Sequence, residues 1–181
     1  MTIDVSVDIE TMGTGINAPI IAIGACKFDR STKKVVDKFY RVISFKSAFR
    51  NSRADGDTVE FWLKQSEEAR LSLIDKRNSV TTKRALEDLY KWFPKSHACV
   101  WGNGPAFDMV LLERSYEKCN LPVPWRFWHH RCFRTIVDLA HEIGITYKKN
   151  EGGIHHNALD DAVRQAKFIT RILHELINYD D

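Results

Sequence analysis

Asp8 and Glu10 stand two residues apart in a run where Ile3, Val5 and Val7 alternate with Asp4, Ser6 and Asp8. That is strand periodicity, so both carboxylates leave one face about 7 Å apart at Cβ, near enough to share hard cations. An Asp-x-Glu at a strand end is also an ordinary solvated edge, so the surrounding residues decide between the two readings. Asp108 falls in the first turn of a helix opened by Pro105, where the helix dipole keeps a carboxylate ionised and available as a ligand. In the last helix Ala162, Ala166, Ile169, Leu173 and Leu176 form one stripe. At about 100° per residue Asp161 lies at the edge of that stripe, and Asp160 nearly opposite it. Asp161 is therefore expected to point into a cleft, and Asp160 to form a capping-box-like pair with Asn157. His156 precedes the helix and is placed to hang from a loop over the same cleft, although a loop histidine is more often plain surface.

Four acids and a histidine in one cleft would hold two divalent cations and support in-line attack of a metal-bound hydroxide on phosphorus. A histidine near its unperturbed pKa of about 6.5 would accept the proton of the water.

The elements that must carry these residues are legible in outline. Turn formers from Gly13 to Pro19 separate the first strand from a second over Ile20 to Phe28, and Val35 to Phe45 gives a third, an antiparallel start. Helical faces recur at Val59, Trp62 and Leu63 and at Ala85, Leu86, Leu89, Trp92 and Phe93, with Thr81-Thr82 as a cap. Ala98 to Trp101 reads as a buried strand leading through Gly102-Asn-Gly104 into a helix from Pro105 to about Lys118. Trp125 to Trp128 reads as a fifth strand, Thr135 to Ile143 as a helix stopped by Gly144, and Ala158 to Ile177 as the last helix. The pattern implies an α/β fold with one mixed five-stranded sheet flanked by helices, and one domain over 1–181.

Composition narrows the alternatives. With 44% hydrophobic and 28% charged residues in 181, the chain is expected to be globular rather than disordered or coiled-coil. The apolar run Ala18 to Cys26 falls far short of the roughly 20 residues a membrane span needs, and acids within the first apolar run argue against a signal peptide. A cytoplasmic location is expected, with no membrane partner. Cys26, Cys99, Cys119 and Cys132 form no C-x-x-C pair, so reduced thiols are expected. The net charge of +3 does not by itself imply nucleic acid, because affinity follows a local patch rather than the total. A homo-oligomer is left open.

With these residues in place, Asp8-Ile-Glu10-Thr11, Phe107-Asp108 and His156-Asn-Ala-Leu-Asp-Asp161 resemble the three motifs of the DEDDh family of 3'-5' exonucleases, which have an RNase H-like fold. Longer strings, Asp8 to Gly15, Ala18 to Ala25 and Trp101 to Asp108, resemble a narrower group of phage and bacterial exonucleases. The resemblance implies metal binding by Asp8, Glu10, Asp108 and Asp161, His156 as general base, and two Mg2+ or Mn2+ ions. It implies a nucleic acid with a free 3' end as partner, DNA before RNA. It also implies substrate contacts near Thr11, Met12, Asn103 and Phe107. One departure is that three residues separate Asn103 from Phe107 where many relatives have two. His155 adjoins His156, but the spacing to Asp161 favours His156.

The segment Arg126 to Arg134 holds three arginines, two histidines, three aromatics and no acid, the mixture that phosphates and stacked bases favour. Arg131 and Arg134 are its candidate phosphate contacts, and the competing reading is core aromatics with a solvated rim. For Trp62 core is favoured over stacking. Two other functions compete: a catalytically silent RNase H-like binding module, and a zinc hydrolase using His129, His130, His155 and His156. The intact acids argue against the first, and adjacent histidines pointing apart argue against the second.

Overall fold

The computed structural model describes residues 3–74, 77–148 and 156–177. Its five strands are β1 (Ile3–Thr11), β2 (Ile20–Asp29), β3 (Lys34–Val42), β4 (Val100–Gly102) and β5 (His130–Cys132). They form one sheet in the order β3-β2-β1-β4-β5. The three long strands pair antiparallel, and β4 and β5 run parallel to β1. Among the described residues seven α-helices occur: α1 (Phe45–Ala48), α2 (Gly56–Leu63), α3 (Glu67–Ser72), α4 (Thr82–Trp92), α5 (Pro105–Lys118), α6 (Phe133–Glu142) and α7 (Ala158–Ile177).

The central place of β1 overrides its alternating pattern. Val5, Val7 and Ile9 join a core with α4 and α5, yet Asp4 and Ser6 on the other face are buried too. Asp4 is stabilised there by the Arg30 guanidinium, Trp101 Nε1 at 2.7 Å and the Cys99 amide at 3.1 Å, so its charge is paired and knits β4 to β1. A second core forms where α6 and α7 cover the sheet, around Phe28, Trp101, Phe133, Ile169 and Ile172.

Two expected strands are corrected. Trp125 to Trp128 is not a strand: Trp125 packs on Phe93 and Tyr116 and donates to Glu113 Oε1 at 2.8 Å, which anchors the segment to α5. A 3-10 turn follows at Phe127–His129, and the fifth strand is His130–Cys132. The third strand stops at Val42, because Ile43 pairs with Val80 and the chain then turns into α1. By contrast, α5 spans its expected bounds, and Thr81 caps α4 by accepting from the Arg84 amide. None of the described helices is long and apolar enough to cross a membrane, and all four cysteines are free thiols.

Parallel β1 and β4 end on the same edge of the sheet, where α5 begins. The first turn of α7 reaches that edge by crossing β2 at Gly24, the register partner of Asp8. A Cβ on Gly24 would sit 2.1 Å from the Ala158 carbonyl carbon and the Leu159 amide, so only glycine lets the helix start come down onto the strand.

Candidate active site

A cavity of about 270 Å³ opens at this edge, and Asp8, Glu10, Asp108, Asp161 and His156 all line it. Oxygens of Asp8, Glu10 and Asp161 lie within 4.8 Å of one another, and the half-buried Asp161 is held by a salt bridge to Arg164. Asp108, in the first turn of α5, is buried behind them. It is packed against β4 so closely that a Cβ on Gly102 would meet its Oδ2 at 3.0 Å.

Such crowding shifts these groups toward the neutral form. Burial, then the charge of Asp108, raises the Asp8 carboxyl well above the usual range, while Gln165 and Arg164 oppose the rise. Glu10 is raised by burial and then by Asp8 and Asp108. Burial pushes Asp108 up to about 7, against nearby backbone amides and the charge of Arg134. Glu10 Oε1 is buried without a hydrogen-bond partner among the described residues. Clustered hard oxygens, one of them orphaned, fit divalent cations and suit neither a purely structural core nor an ion-pair network.

The backbone of His156 is left-handed at φ 62, and its ring stands edge-on to Phe61 at 4.9 Å and to Trp62 at 6.1 Å. Trp62 is buried, as expected, and its Nε1 donates to the Thr11 carbonyl at 2.9 Å, tying α2 to the end of β1. The described cluster able to hold a metal is made of acids, and His130 is engaged elsewhere, with Glu113 at 2.9 Å. Asn157 accepts from the Leu159 and Asp160 amides, which caps α7.

The substrate candidates divide. Asn103, Phe107 and Arg134 line the cavity, and Gly104, at φ 110, packs against the Arg134 guanidinium, so the three-residue loop and this arginine form one wall. Thr11 is buried and spends its hydroxyl on the Gly13 carbonyl, while Met12 packs against the α4–α5 core. Arg131 donates to the Trp128 and His130 carbonyls near the start of β5. Through Trp101, Arg131 is level with Ser6, two residues before Asp8 on β1, and it does not line the cavity. Phe127 and Trp128 are exposed there and Phe133 is core, so of the three aromatics only Phe133 follows the core reading. His155 lies outside the described residues.

Two residues at the site carried no motif signal. Gln165 donates to Asp8 Oδ1 at 2.9 Å, and Arg164 meets Asp161. Both follow Asp161 at i+3 and i+4, the spacing that puts side chains on one helix face, and that spacing was the available clue.

The fold is the RNase H-like one of the DEDDh 3'-5' exonucleases, and the acids gathered at its edge match that class. The nuclease domain of 3'hExo, a DEDDh family member bound to rAMP, superposes with a TM-score of 0.65 at 15% identity over 96% of this chain and 92% of that one. E. coli ExoI in its zinc-bound complex with single-stranded DNA gives 0.72 at 15% identity over 99% of this chain, which spans 41% of that longer protein. An exodeoxyribonuclease of Enterobacteria phage T4 is 26% identical over 161 residues, 75% of this chain and 70% of its own. The family described as the 3'-5' exoribonuclease Rv2179c-like domain matches residues 3–173, and the chain belongs to it.

Proposed function

We propose that this exonuclease shortens DNA from the 3' end, using two Mg2+ or Mn2+ ions, and releases nucleoside 5'-monophosphates. The observation that carries the reading is the convergence of Asp8, Glu10 and Asp161 within 4.8 Å in a cavity that Asp108 and His156 also line. Asp8, Glu10, Asp108 and Asp161 would hold the ions, which supply charge stabilisation at the phosphoryl oxygens and lower the pKa of a bound water. His156, steadied by Phe61, takes a proton from the attacking water. Attack on phosphorus breaks its bond to the 3' oxygen of the penultimate nucleotide, and that oxygen leaves with a proton as the new 3' hydroxyl. Arg134, on the cavity wall beside Gly104, offers a guanidinium to the terminal phosphate.

DNA as substrate is supported by the likeness to the phage exodeoxyribonuclease. RNA is the second reading, favoured by the description of the family. A time course on 5'-labelled single- and double-stranded DNA and RNA, with Mg2+, Mn2+ or EDTA, tests both beside Asp108→Asn. A metal-dependent ladder shortening from the 3' end, absent in the variant, is expected, with DNA degraded faster. No ladder on any substrate with either metal, alongside retained strand binding, would overturn the enzyme and leave a silent binding module.

A further inference from the structure

A second cavity, about 590 Å³, is lined by the start of α4, the later turns of α5 and the β1–β2 connection. Lys46, Arg50, Lys83, Arg114 and Lys118 line it, and no acidic side chain does so among the described residues. Arg114 is paired with Glu117 at 2.6 Å, whereas Lys46, Arg50, Lys83 and Lys118 form no ion pair among the described residues. Glu87 stands close enough to act on the Cys119 thiol in the wall, where Lys83 and Lys118 act in the opposite sense. Lys83 of α4 and Lys118 of α5 thus line one cavity with Cys119. The N-terminus of α4 opens on the same cavity through Thr81, Thr82 and Lys83, adding the positive end of an 11-residue helix. A shallower recess shares Arg50, Asn51 and Lys118 with it and extends toward Gly13. The carboxylate there, Asp55, is occupied by the Thr58 and Thr14 amides.

Cations that outnumber their counter-charges cost stability through repulsion, and they suit a polyanion. The kind of polyanion follows from where the cavity lies. Leu111, Ser115 and Lys118 of its wall follow Asp108 at i+3, i+7 and i+10, so one face of α5 runs from the acidic cavity into the basic one. At 1.5 Å per residue Asp108 and Lys118 are roughly 15 Å apart along the helix, room for several nucleotides of a strand. The β1–β2 connection bridges the same gap, since Glu10 lines the first cavity and Ile16 to Ala18 the second.

We propose that this cavity is a tract for the sugar-phosphate backbone of the nucleic-acid strand whose 3' end occupies the acidic cavity, an inference that rests on the exonuclease reading. Arg50, Lys83 and Lys118 neutralise phosphates upstream of the scissile bond, and the Ser and Thr hydroxyls of the wall donate to them. Because no base-reading group is needed, the tract binds any sequence and rewards length.

The test compares the native protein with the triple variant Arg50→Ala/Lys83→Ala/Lys118→Ala, three exposed positions. The first readout is the KM for a 20-nucleotide strand divided by the KM for a dinucleotide, which is expected to rise on the order of tenfold in the variant. The second is the binding of the 20-nucleotide strand in EDTA as a function of salt. The log-log slope is expected to shrink by about 2, at roughly 0.7 for each of three lost single-strand contacts. An unchanged KM ratio with an unchanged slope overturns the tract. So does a slope that falls instead in Arg126→Ala/Arg131→Ala, which would send the strand across the β5 side of the sheet. If the native protein cleaves neither substrate, the exonuclease reading fails, and the salt slope of binding still decides the tract.

Discussion

At the scale of single residues, the acids repel one another, and that has a thermodynamic consequence. Carboxyls in an unfolded chain titrate near 4, whereas burial pushes Asp108 up to about 7 and raises Asp8 and Glu10. Between those values the native protein binds more protons at these groups than the unfolded chain, so the stability they contribute is fully present below pH 4 and is lost as pH rises through 7. In EDTA the melting temperature should therefore be lower at pH 8 than at pH 6. Asp108→Asn should narrow the gap while cutting turnover by more than the roughly 100-fold that loss of an outer-shell partner can cost. Thermal melts at the two pH values, with a steady-state assay, check this, and a wild-type melting temperature that rises with pH would contradict it. His156 yields a second expectation. Phe61 is 41% exposed, so little core is lost by removing its ring, yet that ring holds the histidine. Phe61→Ala should lower kcat about 10-fold or more with only a small change in melting temperature, and Phe61→Tyr should restore it. Equal losses in kcat and in stability would make Phe61 merely structural. The five motif residues were legible because motif chemistry is carried by type and spacing. Arg164 and Gln165 were not, because a helix face has meaning only once its neighbour is known. Arg131 and Arg134 read alike in sequence, yet one turn of chain puts the first on backbone carbonyls and the second on the cavity wall.

At the scale of elements, site precision depends on how closely helices approach the sheet. Helix α5 was legible to the residue, because Pro105 and the Gly102-Asn-Gly104 turn punctuate its start. The fifth strand was not, because Trp125, Phe127 and Trp128 carry a strand-like composition that Trp125 spends on anchoring the segment to α5. Nor does sequence reveal that Gly24, within an apolar strand, is the point where α7 lands. A methyl there would lie 2.1 Å from the α7 backbone, a contact that side-chain rotation cannot relieve. Gly24→Ala should therefore displace the first turn of α7 and carry Asp161 away from Asp8. The expected outcome is a loss of activity that saturating Mn2+ does not recover, with a melting temperature lowered by several degrees, as overpacking of about 1–3 kcal/mol implies. Ala25, one residue along the same strand, is the control position for Ala25→Gly, which removes a buried methyl without touching α7. Full activity in Gly24→Ala would show that α7 tolerates the shift and that its approach does not set the metal geometry.

At the scale of the whole molecule, the candidate ligands come from three separately packed parts. Asp8 and Glu10 lie on the central strand, Asp108 on a helix of the α4–α5 core, and Asp161 on the helix that builds the other core. The mixed sheet was legible from the order of strand and helix signals, but the edge on which each loop emerges depends on strand direction, which no local pattern encodes. A cation bound by all four acids would link the two cores across the sheet, through a cluster that otherwise pushes them apart. Binding to the native state alone stabilises by about 2.7 kcal/mol at a concentration 100 times Kd, and that gain falls on every element whose opening breaks the site. Mn2+ should therefore raise the melting temperature and slow amide exchange together in β1, the first turns of α5 and the first turns of α7. Exchange at Phe127–His129, which lead into the edge strand β5 and do not line the acidic cavity, should respond only as far as global unfolding governs it. In Asp108→Asn the α5 response should fall away while α7 keeps part of its own, because Asp8, Glu10 and Asp161 still converge. Protection confined to α7 in the native protein would mean that Asp108 is not a ligand, and the link between the two cores would be absent.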